Sequence, residues 1–299
     1  MYKILILCYF PFLLYAKILP YTIVPSSNKN IQNIKILDAK ELRFPDVYEL
    51  SGLAYKNGKL YALSDKGILY LFDITIDSNK IKNLELQKRY ILKNKKLQRF
   101  AKKKRDAEGL DFYKENLLVS FEDKERVLEV SLHGEKIKKI TLPSILQKLK
   151  NYQSKNKGLE SVAYSKQYKV ITIPELPLKN TDSMYHTLYS KHQIWKFKAD
   201  GAVSDIAFID EDNLLVLLRE FNFFTRRRVT SLVQLSLNVC NKQRVCKSKL
   251  LASLHSRDGY NIDNFEGLTK VAKNKFLMVS DDNESPFQKT LLVFFEIKN

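Results

Sequence analysis

The chain has 299 residues, 44% of them hydrophobic and 11% aromatic, which suffices for a large core and excludes wholesale disorder. Its formal net charge is +18, yet lysine far outnumbers arginine and most lysines sit singly on turns and polar strand faces. Without an RNA- or DNA-binding motif, that pattern argues against nucleic-acid recognition. A basic surface still attracts acidic or phosphorylated substrates.

Lys3, an apolar run at 4–15 and Ala16 read as a secretory signal over residues 1–16. The run is too short to cross a bilayer comfortably. Leu14 is unfavourable three residues before the cut, so an uncleaved anchor is the alternative. Pro11 and Pro20 argue against a buried first strand, and Cys8 comes too early for lipid attachment. Residues 17–32 read as a leader and 33–299 as one domain. The expected location is periplasmic or secreted.

Strand signals dominate from there on. IKILDAKELRF at 34–44 is the first. Four follow as SGLAY, KLYALSD, ILYLFDI and LELQKRYIL, with hairpin turns at Asn57-Gly58 and Lys66-Gly67. The next group is EGLDF, NLLVSFE, RVLEVSL and EKIKKITL. A third has LESVAY, YKVITIPE and HQIWKF, its outermost strand being unclear. A fourth has SDIAFI, NLLVLLRE, VTSLVQLSL and CKSKLLASL. The last has FEGLTKV, KFLMVSD and LLVFFEI, and is one strand short. Residues 94–104, 142–156 and 176–191 read as insertions, the second with helical character. Such loops can roof one face and carry specificity.

A short phrase opens each group: Ser51-Gly52-Leu53, Glu108-Gly109-Leu110, Glu160-Ser161-Val162, Ser204-Asp205-Ile206 and Glu266-Gly267-Leu268. A repeat of short strands at about 50 residues marks a radial β array. The expectation is an all-β, five-bladed β-propeller whose last blade is closed by the 34–44 strand. Six blades is the alternative if 81–100 or 176–200 hides another sheet.

In a propeller the repeated phrase falls near the axis. Glu108, Glu160 and Glu266 then begin innermost strands, with Asp205 in the same place in the fourth copy. Asp65, Glu122, Glu175, Glu220 and Asp281 end the following strands. Carboxylates converging on one axis repel and need a cation, trapped protons or arginine partners. Oxygen ligands suit Ca²⁺, or Mg²⁺ with more water. The expected ligands are Glu108, Glu160, Glu266, Asp65 and Asp281, with Asn156, Asn264 and Asn283 as amide contributors. Glu108, Glu160 and Glu266 are the candidate catalytic carboxylates, and Arg105 and Arg219 the candidate anion binders. A blander account makes Glu-Gly-Leu a blade-closing device, its glutamate accepting backbone N–H groups and its glycine allowing close approach.

The histidines His133, His186, His192 and His255 are scattered without triad spacing. Trp195 and Phe221, Phe223 and Phe224 read as packing, or the phenylalanines beside Arg226, Arg227 and Arg228 as an exposed tip that touches a partner. Cys240 and Cys246 flank NKQRV between two strand-like runs and read as a hairpin disulfide.

SGL with LYALSDKG, DAEGLDF, NKGLESVAY with ITIPE, SDIAF with LLVLLRE, and NFEGLTK with MVSDDN together resemble the phytase-like esterase family of exported bacterial propellers. The resemblance runs over about 44–296. Glu160-Ser161-Val162 departs from it where glycine is usual. It implies a β-propeller and hydrolysis of phosphate or carboxylic esters. Lactonase and strictosidine-synthase propellers look like more distant relatives and suggest a divalent ion in the central channel. The functional expectation is an exported, metal-dependent hydrolase of a small anionic or ester substrate. It is expected to be monomeric, without stable membrane insertion after signal cleavage. The alternative is a non-catalytic periplasmic propeller that binds a protein or envelope ligand.

Overall fold

The structure is a computed structural model that describes residues 17–25, 31–122, 126–154 and 157–298. The apolar run, Ala16 and Asn156 lie outside the described residues. Five antiparallel sheets form the blades of a propeller. Blade 5 takes its outer strands from the N-terminus, β1 (Ile18–Pro20) and β2 (Ile34–Leu42). Blade 1 is β3 (Leu50–Lys56), β4 (Lys59–Ser64), β5 (Ile68–Asp77) and β6 (Lys80–Ile91). Blade 2 is β7 (Ala107–Tyr113), β8 (Asn116–Phe121), β9 (Arg126–Val130) and β10 (Lys136–Lys139). Blade 3 is β11 (Leu159–Ser165), β12 (Lys169–Pro174), β13 (His186–Tyr189) and β14 (Ile194–Phe197). Blade 4 is β15 (Ala202–Phe208), β16 (Asn213–Asn222), β17 (Arg227–Cys240) and β18 (Cys246–His255). The inner strands of blade 5 are β19 (Asn264–Ala272), β20 (Lys275–Asp281) and β21 (Leu291–Ile297).

The closure is the expected one. β2 pairs antiparallel with β21, Ile34 opposite Ile297 and Glu41 opposite Leu291. β1 adds a further edge strand, Ile18 opposite Leu42, inside what the sequence suggests is a leader. Residues 81–100 and 176–200 hide no sixth sheet. The first supplies β6, and the second supplies β13 and β14, so 176–191 is a loop only as far as Tyr185. The stretch 142–156 contains two 3₁₀ turns, Ser144–Gln147 and Leu149–Asn151, rather than a helix. Its Leu146 and Tyr152 pack into the core between blades 2 and 3 with Leu118 and Val162. Cys240 and Cys246 are disulfide-bonded across the β17–β18 hairpin.

β3, β7, β11, β15 and β19 pack side by side around the axis. Their close approach is made at the glycine of the repeated phrase. A Cβ on Gly109 would lie 2.5 Å from Ser161 Cα and 2.7 Å from Val162 N on the next blade. A Cβ on Gly52 would lie 2.6 Å from Glu108 O. Gly109→Ala is therefore expected to lose about 1–3 kcal/mol, since backbone rather than a flexible side chain must give way. Urea unfolding of the variant checks this, and an unchanged midpoint would sink it.

Side chains on or beside the inner strands also bridge neighbouring blades through backbone amides. Asp111 Oδ2 accepts from Tyr164 N–H at 2.7 Å, Asp205 Oδ2 from Leu268 N–H at 2.7 Å, and Thr269 Oγ1 from Tyr55 N–H at 3.2 Å. Blade closure by carboxylates is thus real, but Asp111 and Asp205 perform it rather than the leading glutamates.

Candidate functional site

Each inner strand carries a break in register where the phrase begins. On β3, β11, β15 and β19 the ladder skips Ser51, Glu160, Ser204 and Glu266. On β7 it skips Glu108 and Gly109. A β-bulge re-aims the extra side chain, and here the repeated bulge sets Glu108, Glu160 and Glu266 at equivalent axial positions. The fourth copy is corrected by the same register. Ser204, not Asp205, stands where the glutamates stand. Asp205 occupies the glycine position, which is why it can reach the next blade.

The strand ends are aligned by backbone pairing as well. Asp65, Glu122 and Glu175 donate N–H to Glu49, Asp106 and Gly158 O at 3.0–3.2 Å. Ala202 pairs with Arg219 and Asn264 with Asp281. The fourth strand-end position therefore belongs to Arg219, and Glu220 lies one residue past it, 3.7 Å from Arg227. Four blades bring an acid to the axis at this level and blade 4 brings a cation.

Arg219 uses both ends of its guanidinium. Nη1 donates to Glu266 and, at 2.9 Å, to Asn264 Oδ1. Nη2 donates to Glu160 Oε1 at 3.2 Å and Glu175 Oε1 at 3.4 Å. Lys157 Nζ lies 2.6 Å from Glu175 Oε1. Among the described residues of blade 2, no lysine or arginine is seen to pair with Glu108 or Glu122 in this way. Glu108 has no hydrogen-bond or ion-pair partner among the described residues, and Glu122 accepts Gly158 N–H at 3.1 Å. Asp106, Glu108 and Glu122 can bring one oxygen each within 4.8 Å of one another, and so can Glu122, Glu160 and Glu175. That spacing suits a hard cation with oxygen ligands about 2.3–2.6 Å away.

The charge balance shows in the titration of the ring. Burial, then the neighbouring Glu160, Glu266, Asp106 and Glu122, hold Glu108 well above the usual carboxylate range. Burial also raises Glu160 and Glu266, and Arg219 opposes the rise in both. Burial pushes Asp65 up to about 6, Glu122 to about 7 and Asp281 to about 8. One oxygen of Asp65, the Ser161 hydroxyl and the Ser204 hydroxyl are buried without a hydrogen-bond partner.

A cavity of about 720 Å³ opens on the face where the inner strands begin. Its lining includes Lys157, Glu175, Arg219, Arg228, Asn264 and Gln288. Of the sequence-predicted site residues it brings together Glu175, Arg219, Glu220, Asn264 and Asn283. Glu108, Glu160 and Glu266 lie beside it rather than in its lining. Arg105 is partly exposed beside Gly67 and does not line it. Glu266 is engaged by Arg219 and Asn264, and Asp65 and Asp281 belong to neither ligand-spaced cluster.

Asp106 and Lys157, which sequence reasoning did not single out, complete the arrangement with Glu122 and Glu175. Asp106 could have been found by pairing each strand end with the residue opposite it. The histidines stand apart from the site: His186 is buried, stacks on Phe197 and has Nε2 3.1 Å from Gly201 O.

Fold and site together define a five-bladed β-propeller with an acidic axial ring beneath an open cavity. The family model described as phytase-like, with esterase-like activity of phytase, matches residues 45–284, and the chain belongs to that family. No curated protein gives a match. Solved structures similar to it include the PQQ-bound form of an aldose sugar dehydrogenase from Streptomyces coelicolor, at TM-score 0.46 and 8% identity, covering 88% of this chain and 97% of that one. Glutaminyl cyclase from Myxococcus xanthus is another, at TM-score 0.47 and 9% identity, covering 89% and 97%. At these scores the likeness says nothing of substrate.

Proposed function

We propose that the protein is an exported, metal-dependent hydrolase of a phosphate or carboxylic ester. The observation that carries this reading is the carboxylate cluster of Asp106, Glu108 and Glu122 beside a cation-lined cavity. Asp106, Glu108 and Glu122 would hold Ca²⁺, or Mg²⁺ with more water. Their fit rests on the all-oxygen donor set and on Glu108 having no hydrogen-bond or ion-pair partner among the described residues. Such an ion polarises a phosphoryl or carbonyl oxygen and activates water. Lys157 and Arg228 draw an anionic substrate into the cavity. Arg219 is a fixed counter-ion that holds Glu160 and Glu266 in place. Glu175 is the ring carboxylate that lines the cavity and takes the proton from an attacking water. The disulfide and the apolar run at 4–15 support export. No helix among the described residues is long and apolar enough to cross a membrane.

The test is hydrolysis of p-nitrophenyl phosphates, p-nitrophenyl esters, lactones and phytate with Ca²⁺ and with EDTA. The expected result is turnover on one class that is lost in EDTA and falls at least about a hundredfold in Glu175→Gln. A folded protein with a flat panel would favour the second reading, a non-catalytic propeller that binds an envelope ligand. The specific support for that reading is Arg219, whose ion pairs serve the ring and not a ligand.

A further inference from the structure

The inner strands start, and their neighbours end, on the face that carries the cavity. All the exposed phenylalanines among the described residues lie on that face. Phe221, Phe223 and Phe224 are at the β16–β17 tip, 53%, 65% and 93% exposed, and Phe221 lines the cavity. Phe287, 93% exposed, sits between Ser285 and Gln288, which line the part of the rim that blade 5 supplies. Leu149 and Met184 project from the two neighbouring loops. Apolar side chains gathered around one rim mark an interaction surface rather than chance exposure.

Cations alternate with them. Arg226 lies over the Phe223 ring at 4.8 Å and Arg228 over the Phe221 ring at 5.5 Å. The turn Lys102–Lys104 is on the same face, just ahead of β7, with no buried residue. The opposite face also carries exposed cations, Lys242 and Arg244, and the exposed Val239 at the β17–β18 tip, but differs in its rings. Its hairpin tips include Asn57-Gly58 and Asp210-Glu211-Asp212 and carry no exposed phenylalanine among the described residues.

The chain enters on the phenylalanine face too. Ile18 pairs with Leu42 at the rim end of β2, and Lys17 O accepts Arg43 N–H at 2.8 Å. Lys17, the first described residue, therefore lies beside the rim.

We infer that this face docks reversibly on an anionic lipid surface, with the cavity mouth turned toward the headgroups. Aromatic side chains among Lys and Arg are the combination that enters the headgroup layer of an anionic bilayer, apolar burial and charge attraction adding together. The net charge of +18 supplies long-range attraction of the same sign. This placement is independent of what the cavity hydrolyses or binds.

The test uses residues 17–299, which hold every strand of the five blades. The protein is sedimented with vesicles of phosphatidylcholine alone and of phosphatidylcholine mixed with phosphatidylglycerol. The expected result is binding at least about tenfold tighter to the anionic vesicles, weakened by added salt. Phe223→Ser with Phe224→Ser is expected to weaken it about tenfold or more at an unchanged melting temperature, because both rings are solvent-exposed. In a second measurement, Phe224→Cys carrying an environment-sensitive dye is expected to shift to the blue only with anionic vesicles. Binding to neither vesicle, equal binding to both, or full binding by the double variant would overturn the inference.

Discussion

Arg219→Gln is expected to destabilise the propeller by about 3 kcal/mol at pH 8 and by clearly less at pH 5. The guanidinium faces Glu160, Glu175 and Glu266, whose side chains are 7%, 3% and 13% exposed. Removing one partner of a buried pair typically costs about 3–5 kcal/mol, because the charge left behind has neither water nor a counter-ion. The lower end applies, since a quarter of the Arg219 side chain is exposed. Glutamine keeps amide hydrogen bonding but no charge. Without the cation, Glu160 and Glu266 can stay buried only by holding protons, which favours the folded state at low pH. Arg219→Lys should recover part of the loss, since one ammonium cannot serve both sides of the fork. Urea melts at the two pH values read the result. A loss below about 0.5 kcal/mol at pH 8 would mean that the ring needs no counter-charge from blade 4.

The second large effect concerns the opposite side of the ring. In EDTA the unfolding midpoint is expected to fall as pH rises from 5 to 8.5, and Ca²⁺ is expected to restore it. Asp65, Glu122 and Asp281 have folded pKa values of about 6, about 7 and about 8, each raised by burial from its ordinary value. A raised folded pKa means that the folded state binds protons more tightly than the unfolded chain. The contribution is therefore complete below about pH 4 and is lost as pH passes through 6 to 8. A cation among Asp106, Glu108 and Glu122 takes the place of the proton on Glu122 and eases the repulsion that the other ring carboxylates feel. At a hundred times its Kd it adds about 2.7 kcal/mol.

Glu108→Gln separates the two effects because their signs differ. Removing one of several repelling carboxylates should raise the pH 8 midpoint in EDTA, while most of the Ca²⁺ increment should disappear. Wild-type protein whose midpoint at pH 8 ignores both Ca²⁺ and Mg²⁺ would rule out the metal at this cluster. It would leave Arg219 and trapped protons as the agents that balance the ring.

Several of these features are visible in the linear sequence. The period of the phrase, the Asn57-Gly58 and Lys66-Gly67 turns and the unpaired 34–44 strand are local patterns. Each follows from how two-residue alternation and turn chemistry constrain a short piece of backbone. The Cys240–Cys246 pair is local in the same way. The β13 strand was harder to see because its four residues, His186–Tyr189, follow a polar loop and offer too short a run for alternation to show. The axial assignments failed by one residue in blade 4. There, Ser204 and Arg219 hold the places that spacing alone gives to Asp205 and Glu220. A bulge inserts one residue into a strand and turns every later side chain to the other face, and nothing local in the sequence marks where that occurs.

By itself, then, the sequence determined a propeller of five or six blades, its closure by the N-terminal strand and the presence of an acidic axis, and the structure fixed the count at five. Repetition and hydrophobic alternation act over a few residues and survive in one dimension. Only the tertiary structure decided which carboxylates meet, that Arg219 pairs with three of them, that Glu108 has no partner among the described residues, and that the exposed phenylalanines share a rim with the cavity. Those are distances between blades. Such distances are set by strand register and by the approach of backbones at Gly52, Gly109 and Gly267, which exist only once the ring has closed.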